Sequence, residues 1–153
     1  VAQMWVERLR VDGLRWRSIE GSNLNTIGST AYLKVIGTAL EGEWFAPNVS
    51  DAAALPGWEQ GADLRGVDDP TAATQMFCPE LRISELVPSQ VIRAEVRVYW
   101  LRNQGGGQIN AGGDMCPGPD QTHSDELSED VSRENYHFVY LATTIRKQPP
   151  LEP

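Results

Sequence analysis

The chain has 153 residues, 41% of them hydrophobic, and its 21 acidic side chains outnumber 13 Lys and Arg to give a formal net charge of −8. This length allows one domain with a sizeable core. The acidic balance argues against binding to nucleic acid or to an anionic membrane surface, because both require basic patches. No stretch of the chain approaches the roughly 20 apolar residues of a transmembrane helix.

The N-terminal segment, residues 1–18, has the pattern of a helix with two apolar faces. One stripe of the helical wheel collects the residues expected to pack on a core: Ala2, Trp5, Val6, Leu9, Gly13 and Trp16. A second stripe lies nearly opposite and consists of Met4, Val11 and Leu14. A surface helix is ordinarily polar on that side, so we interpret the second stripe as an interface for a partner. The alternative is that it packs under residues 41–74.

Two local signals qualify this helix. Gly13 inside a helix costs about 1 kcal/mol relative to Ala, which indicates close packing against a strand. Gly21 can adopt the left-handed conformation that often ends a helix, so we expect the helix to end near residues 18–21. Residues 31–40 are ambiguous between a short helix and a strand. Residues 41–74 are rich in Pro, Gly, Asp and Ala, and we expect them to be irregular, with Trp44, Phe45 and Trp58 as anchors.

The rest of the chain predicts an antiparallel sheet within residues 79–146. We expect strands at Glu80–Val87, Val91–Arg102 and Tyr136–Arg146, with a tight turn at 88–90. Apolar side chains alternate with charged ones in the second strand, which is typical of a half-buried antiparallel strand. The third strand is apolar on both faces and is expected to lie centrally or to be covered on both sides. The fold class is therefore α+β, with an amphipathic helix on an antiparallel sheet in a single domain of residues 1–153.

A long loop, residues 103–135, separates the last two predicted strands. Loops of this length inside a compact domain are usually functional or disordered. Cys116 lies in the middle of the loop, and Cys78 precedes the first strand. A single long-range cysteine pair fits a disulfide formed in an oxidising compartment. The alternative is two unrelated reduced cysteines in a cytosolic protein.

Candidate chemistry is sparse. Only two histidines are present, His123 and His137, and no Gly-x-Ser-x-Gly elbow supports a hydrolytic triad, so we expect no enzyme, catalytic residue or cofactor. The long loop is rich in carboxylates, and Asp114, Asp120 and Asp125 are weak candidates for calcium ligands. The spacing does not match the EF-hand pattern, and a solvated acidic loop without metal is the simpler interpretation.

The order of these elements resembles that of type IV pilins. Residues Ala2–Arg10 are similar to the second half of the long helix in PilV-type minor pilins and I-type minor pseudopilins. The strands ending Val96–Trp100 and Val139–Ala142 also look like the sheet of such proteins. The resemblance implies a pilin-like domain of which residues 1–18 are the remnant of the N-terminal helix.

The same resemblance implies a non-enzymatic minor pilin that takes part in the assembly or priming of a type IV pilus, at the filament tip. Its partners would be other minor pilins or pseudopilins and the assembly machinery. An upstream apolar helix, absent from this chain, would anchor it in the bacterial inner membrane, with the domain in the periplasm and later in an extracellular filament. Two alternatives stay open: a minor pseudopilin of a type II secretion system, and a secreted binding or adhesion module stabilised by calcium.

Overall fold

The computed structural model describes residues 1–18, 26–47, 61–63, 65–69, 75–101, 116 and 136–150. Helix α1 (Ala2–Gly13) packs on a four-stranded antiparallel sheet of order β1-β4-β5-β6. The strands of this sheet are β1 (Trp44–Phe45), β4 (Cys78–Val87), β5 (Val91–Leu101) and β6 (Tyr136–Arg146). A two-stranded ribbon pairs β2 (Gly61–Ala62) with β3 (Asp68–Asp69). A helix packed on an antiparallel sheet confirms the predicted α+β fold class.

The face of α1 that was predicted to pack on the core is buried. Trp5, Leu9 and Trp16 are 1%, 0% and 0% exposed. They lie over the β5 side chains whose alternation predicted a half-buried strand, namely Ile92, Ala94, Val96 and Val98. Helical and strand periodicity thus combine in one apolar layer between α1 and the sheet.

The helix ends at Gly13, earlier than predicted. The amides of Leu14, Arg15 and Trp16 donate to carbonyls three residues back, which tightens the last turn. The Trp16 carbonyl then accepts from the Gln148 amide at 2.8 Å, and the Gln148 carbonyl accepts from Ser18. The chain leaves the helix because contacts with the segment after β6 replace further helical hydrogen bonds.

Among the strands that the structure describes, β6 lies at the edge of the sheet, so the expectation of a central strand is wrong. Its residue Ile145 is buried against α1, whereas Val139 and Tyr140 are 40% and 59% exposed. The strand is apolar on both faces because one face contacts the helix layer and the other carries the aromatic side chains Phe138 and Tyr140, which stack on each other.

The connecting segments hold further differences from the sequence analysis. Residues 31–40 contain a 3-10 helix at Leu33–Val35, preceded by another at Thr26–Ser29, and no strand. Trp44 and Phe45 form β1, so this part of the segment predicted to be irregular joins the sheet. Trp58 and all of the predicted loop 103–135 except Cys116 lie outside the described residues. Among the residues that the structure describes, no helix has the length and apolar character needed to span a membrane.

Candidate functional site

The exposed part of the second stripe consists of Val11 in α1 and Leu14 directly after its last residue, which are 47% and 52% exposed. Most of residues 41–74, which the alternative places over this stripe, lies outside the described residues. Beside these two side chains, the carboxylate of Glu7 accepts from Arg10 at 2.7 Å and from the Gln3 amide at 2.9 Å. The surface therefore presents two apolar side chains next to polar groups that already bind one another.

Met4 departs from the other two members of the predicted stripe. Its side chain is partly buried and packs against the core cluster. Met4 therefore contributes to the fold of the domain, and the candidate interface is reduced to Val11 and Leu14. Which partner contacts these two residues stays a prediction.

Asp12 fixes the end of α1 that carries this surface, and the sequence analysis did not single it out. The side chain is 1% exposed. Its carboxylate accepts from the backbone amides of Ala31, Tyr32 and Leu33 at 2.7, 2.8 and 3.3 Å. These amides belong to the start of the 3-10 helix at Leu33–Val35, where such donors have no partner within the helix. An acidic residue inside an apolar stripe was the available signal for this role.

The sheet face away from α1 contains a buried ion pair. Glu80 and Arg97 are paired across β4 and β5, and each side chain is 3% exposed. The Arg97 Nε donates to a Glu80 carboxylate oxygen at 2.6 Å. The Arg97 guanidinium carbon also lies 4.5 Å from the centroid of the Trp44 ring. The ion pair joins β4 to β5, and the contact with Trp44 joins both to β1. Removing either charged residue would leave the other buried without its partner.

A second, more exposed cluster continues along the same face. Arg82 forms two hydrogen bonds with the Glu95 carboxylate at 2.8 and 2.9 Å, and Arg93 donates to it at 2.8 Å. The hydrogen bonds from Arg82 lower the pKa of Glu95 below its ordinary value, against the opposing effect of burial. The same contact raises the pKa of Arg82. Arg82 and Arg93 thus share the carboxylate of Glu95, and this ion-pair cluster joins β4 to β5.

The predicted disulfide is present between Cys78 and Cys116, 38 positions apart in the chain. It lies in an aromatic cluster with Tyr99, which is 0% exposed, and with the partly buried Tyr136 and Phe138. Burial raises the pKa of the Tyr99 hydroxyl well above its ordinary value, and the neighbouring Glu80 carboxylate adds to this effect. The bond attaches Cys116, within the predicted loop, to the start of β4.

An open groove of about 480 Å³ lies between the start of α1 and the sheet. Val98, Trp100 and Leu141 form its apolar wall. Arg65 is the charged residue of its lining, and its guanidinium binds the Asp63 carboxylate at 2.8 Å. The described lining of the groove offers shape and apolar contact, and contains no pair of groups arranged for acid–base chemistry.

The metal candidates of the sequence, Asp114, Asp120 and Asp125, lie outside the described residues, as does His123. His137 is exposed, and its ring stacks on Trp100 at 5.4 Å between ring centroids. Within the described ranges, no three His, Cys, Asp or Glu side chains are grouped as a metal site would require. Calcium binding by the loop therefore stays a prediction.

A comparison of this chain with protein-family models, curated proteins and solved structures finds no match.

Proposed function

We propose that this chain is the globular domain of a non-enzymatic assembly subunit of the minor pilin type, which joins its neighbours through the exposed side of α1. The single observation that carries this proposal is the contrast between the two sides of that helix. Trp5 and Leu9 are fully buried, while Val11 and Leu14 are about half exposed on the opposite side. A helix that is apolar beyond the needs of its own core is suited to packing against a second helix.

The energy available from this surface fits a weak contact that is repeated in an assembly. Complete burial of a Val or Leu side chain contributes about 1.5–3 kcal/mol, so covering the exposed halves of Val11 and Leu14 contributes roughly 1 kcal/mol each. That amount is too small for a stable pair of isolated domains. A contribution of this size is sufficient in an assembly where other contacts already bring the helices together.

Two further observations support the proposal. The chain order of one helix, an antiparallel sheet and a cysteine-linked segment corresponds to the arrangement that the resemblance to type IV pilins implies. The disulfide between Cys78 and Cys116 is typical of proteins that fold in an oxidising compartment such as the periplasm. Under this proposal an apolar helix upstream of Val1 anchors the subunit in the inner membrane and later lies in the filament.

The proposal is tested in the organism of origin by deleting the gene and restoring it as wild type or with Val11→Glu and Leu14→Glu together. We expect the deletion to reduce the number of surface pili seen by electron microscopy, and the double variant not to restore them. Leu40→Glu is the matched control, because Leu40 is 46% exposed and lies outside α1. That variant is expected to restore pili fully.

Three results would contradict the proposal or its details. Normal pili in the deletion strain, together with loss of type II secretion, would assign the chain to the minor pseudopilins. Full restoration by the double variant would show that Val11 and Leu14 are not the interface. Loss of neither pili nor secretion would favour a secreted binding module. The free energy of unfolding of the purified double variant is expected to lie within about 0.5 kcal/mol of the wild-type value, since both side chains are exposed.

A further inference from the structure

Strand β6 is the last strand of the described sheet and has an outer edge on the side away from β5. In the part of the chain that the structure describes, no strand pairs with this edge, because the sheet order ends at β6. The strand has 11 residues, and its pairing with β5 runs without a register shift from Tyr136 to Arg146. It is therefore a long, regular edge of the kind that natural proteins usually interrupt.

The register identifies which backbone groups point outward. Lys147 continues the pairing of β6 with β5, and its amide donates to the Gln90 carbonyl at 2.9 Å. Hydrogen-bonded pairs alternate along an antiparallel ladder, so the odd-numbered residues 137–145 bind β5 and the even-numbered residues 138–146 point outward. Gln148 confirms this alternation, because its outward amide and carbonyl bind Trp16 and Ser18.

Several of the usual protections against strand addition are absent from the described residues of this edge. Residues 137–146 contain no Pro, Lys, Asp or Glu, although the chain as a whole carries 21 acidic residues. Of the residues whose backbone groups point outward, four are exposed: Tyr140, Ala142, Thr144 and Arg146. Helix α1 lies on one face of the sheet and is held to β6 by the Arg10 side chain, which donates to the Thr143 hydroxyl. Among the described elements, the helix therefore contacts the face of β6 and not its outer edge.

We infer that this edge pairs with the same edge of a second copy of the chain, in antiparallel orientation about a two-fold axis at Ala142. The self-complementarity of the strand argues for this occupant. The arrangement places Ala142 opposite Ala142, Tyr140 opposite Thr144, and Phe138 opposite Arg146. In this register all five outward residues lie at the junction and form about ten backbone hydrogen bonds between the copies. The Arg146 carbonyl, which also accepts from its own Gln148 side chain at 3.2 Å, uses its second lone pair for this contact.

Charge and position agree with this pairing. Arg146 faces Phe138 of the other copy, so no like charges lie directly opposite each other along the strands. Repulsion between two chains of net charge −8 acts at longer range and is screened beyond roughly 8 Å at physiological salt. The paired strands stop before Gln148, whose outward groups are already bound within the chain. The resulting eight-stranded sheet joins two four-stranded sheets edge to edge.

Amide hydrogen exchange of the purified domain over a series from about 10 μM to about 1 mM tests the pairing directly. The amides of residues 139, 141, 143 and 145 bind β5 and are expected to be protected at every concentration. The amides of 138, 140, 142 and 144 are expected to gain protection only as the copies pair. When nine-tenths of the chains are paired, hydrogen exchange at these outward amides, which proceeds through the free monomer, slows about tenfold.

Ala142→Pro supplies the matched test by sedimentation equilibrium. Proline removes an outward amide and is tolerated in an edge strand where that amide faces solvent, so the variant should stay folded but monomeric. Ala142→Ser keeps the amide and is expected to dimerise like wild type. If Ala142→Pro fails to fold, the exchange pattern of the wild-type domain decides the question.

Three outcomes would overturn the inference. The first is a wild-type monomer whose outward amides exchange freely throughout the concentration series. The second is a dimer that persists in folded Ala142→Pro, which would place the contact elsewhere. The third is a wild-type chain that stays monomeric but binds a pilin subunit, with that binding lost in Ala142→Pro. This result would assign the edge to that partner. None of these outcomes depends on the variants of Val11 and Leu14, so the inference and the proposed function fail separately.

Discussion

Gly13 of α1 lies directly against the side chain of Ile145 in β6, so closely that a β-carbon on Gly13 would overlap Cγ2 of Ile145. The contact explains why a residue that is unfavourable within a helix occupies this position. It sets the distance between the helix and the edge strand. The sequence indicated close packing of Gly13 on a strand, and the structure confirms this and identifies the strand.

Gly13→Ala is expected to lower the free energy of unfolding by about 1–2 kcal/mol. Overpacking costs about 1–3 kcal/mol, and the better helix propensity of Ala returns up to about 1 kcal/mol. Urea denaturation measures the change. Gly28→Ala is the control, because a β-carbon there meets no atom within 4 Å. Equal effects at both positions would show that the contact with Ile145 is not the cause.

Asp12→Asn is expected to destabilise the domain by about 2–3 kcal/mol. The change keeps the shape of the side chain but replaces one of the oxygens that accept from the amides of Ala31, Tyr32 and Leu33. Hydrogen bonds to a charged group are worth about 1.5–3 kcal/mol, and the unpaired amides are buried. Denaturation by urea is the measurement.

Glu41→Gln is the control for this substitution. Its carboxylate also accepts from two backbone amides, those of Gly37 and Glu85, but it is partly exposed. Water can replace the lost interaction there, so we expect a loss below about 1 kcal/mol. A larger loss at Glu41 than at Asp12 would contradict the role assigned to burial.

Tyr99→Phe is expected to raise the free energy of unfolding by about 1 kcal/mol. The hydroxyl of Tyr99 is buried and, among the described residues, has no hydrogen-bond partner. Its removal abolishes the cost of burying an unsatisfied polar group while it leaves the ring contacts intact. Tyr140→Phe is the control, since Tyr140 is 59% exposed. A loss of stability in Tyr99→Phe would reveal a partner for the hydroxyl.

The pH dependence of Tyr99 provides a separate prediction. Burial raises its pKa above the ordinary value of 10.0, so the neutral phenol is favoured in the folded state. The corresponding stability is complete below pH 10 and is lost as the pH rises through the pKa of the folded state. Ultraviolet titration of tyrosinate should show a late ionisation of Tyr99 that coincides with unfolding. That step is expected to be missing in Tyr99→Phe and retained in Tyr140→Phe.

Cys78→Ser is expected to destabilise the domain by about 4 kcal/mol on the chain-entropy account of a long closed loop. Limited proteolysis within residues 103–135 should become faster, since Cys116 is no longer bound to β4. Cys116→Ser is expected to give the same loss, and the double variant no further loss. Unchanged cleavage in all three would show that the disulfide does not restrain this segment.

Local periodicity was sufficient to predict the elements that carry the core. The pattern of Trp5, Leu9 and Trp16 identified the buried side of α1, and alternation along residues 91–101 identified β5. The bounds of β6 were also predicted correctly. These features follow from the sequence because side chains three to four apart in a helix, or two apart in a strand, share a face whatever surrounds them.

The periodicity of α1 and β5 indicates most of the side chains that face the core, whereas the groups beside them depend on how distant segments pack. Gln148 ends α1 by binding Trp16, and Asp12 binds the start of a 3-10 helix 19 to 21 positions away. The edge position of β6 depends on the order of the strands. Met4 differs from Leu14 for the same reason, because one contacts the core cluster and the other does not. Such contacts join segments distant in the chain, and no local pattern encodes them.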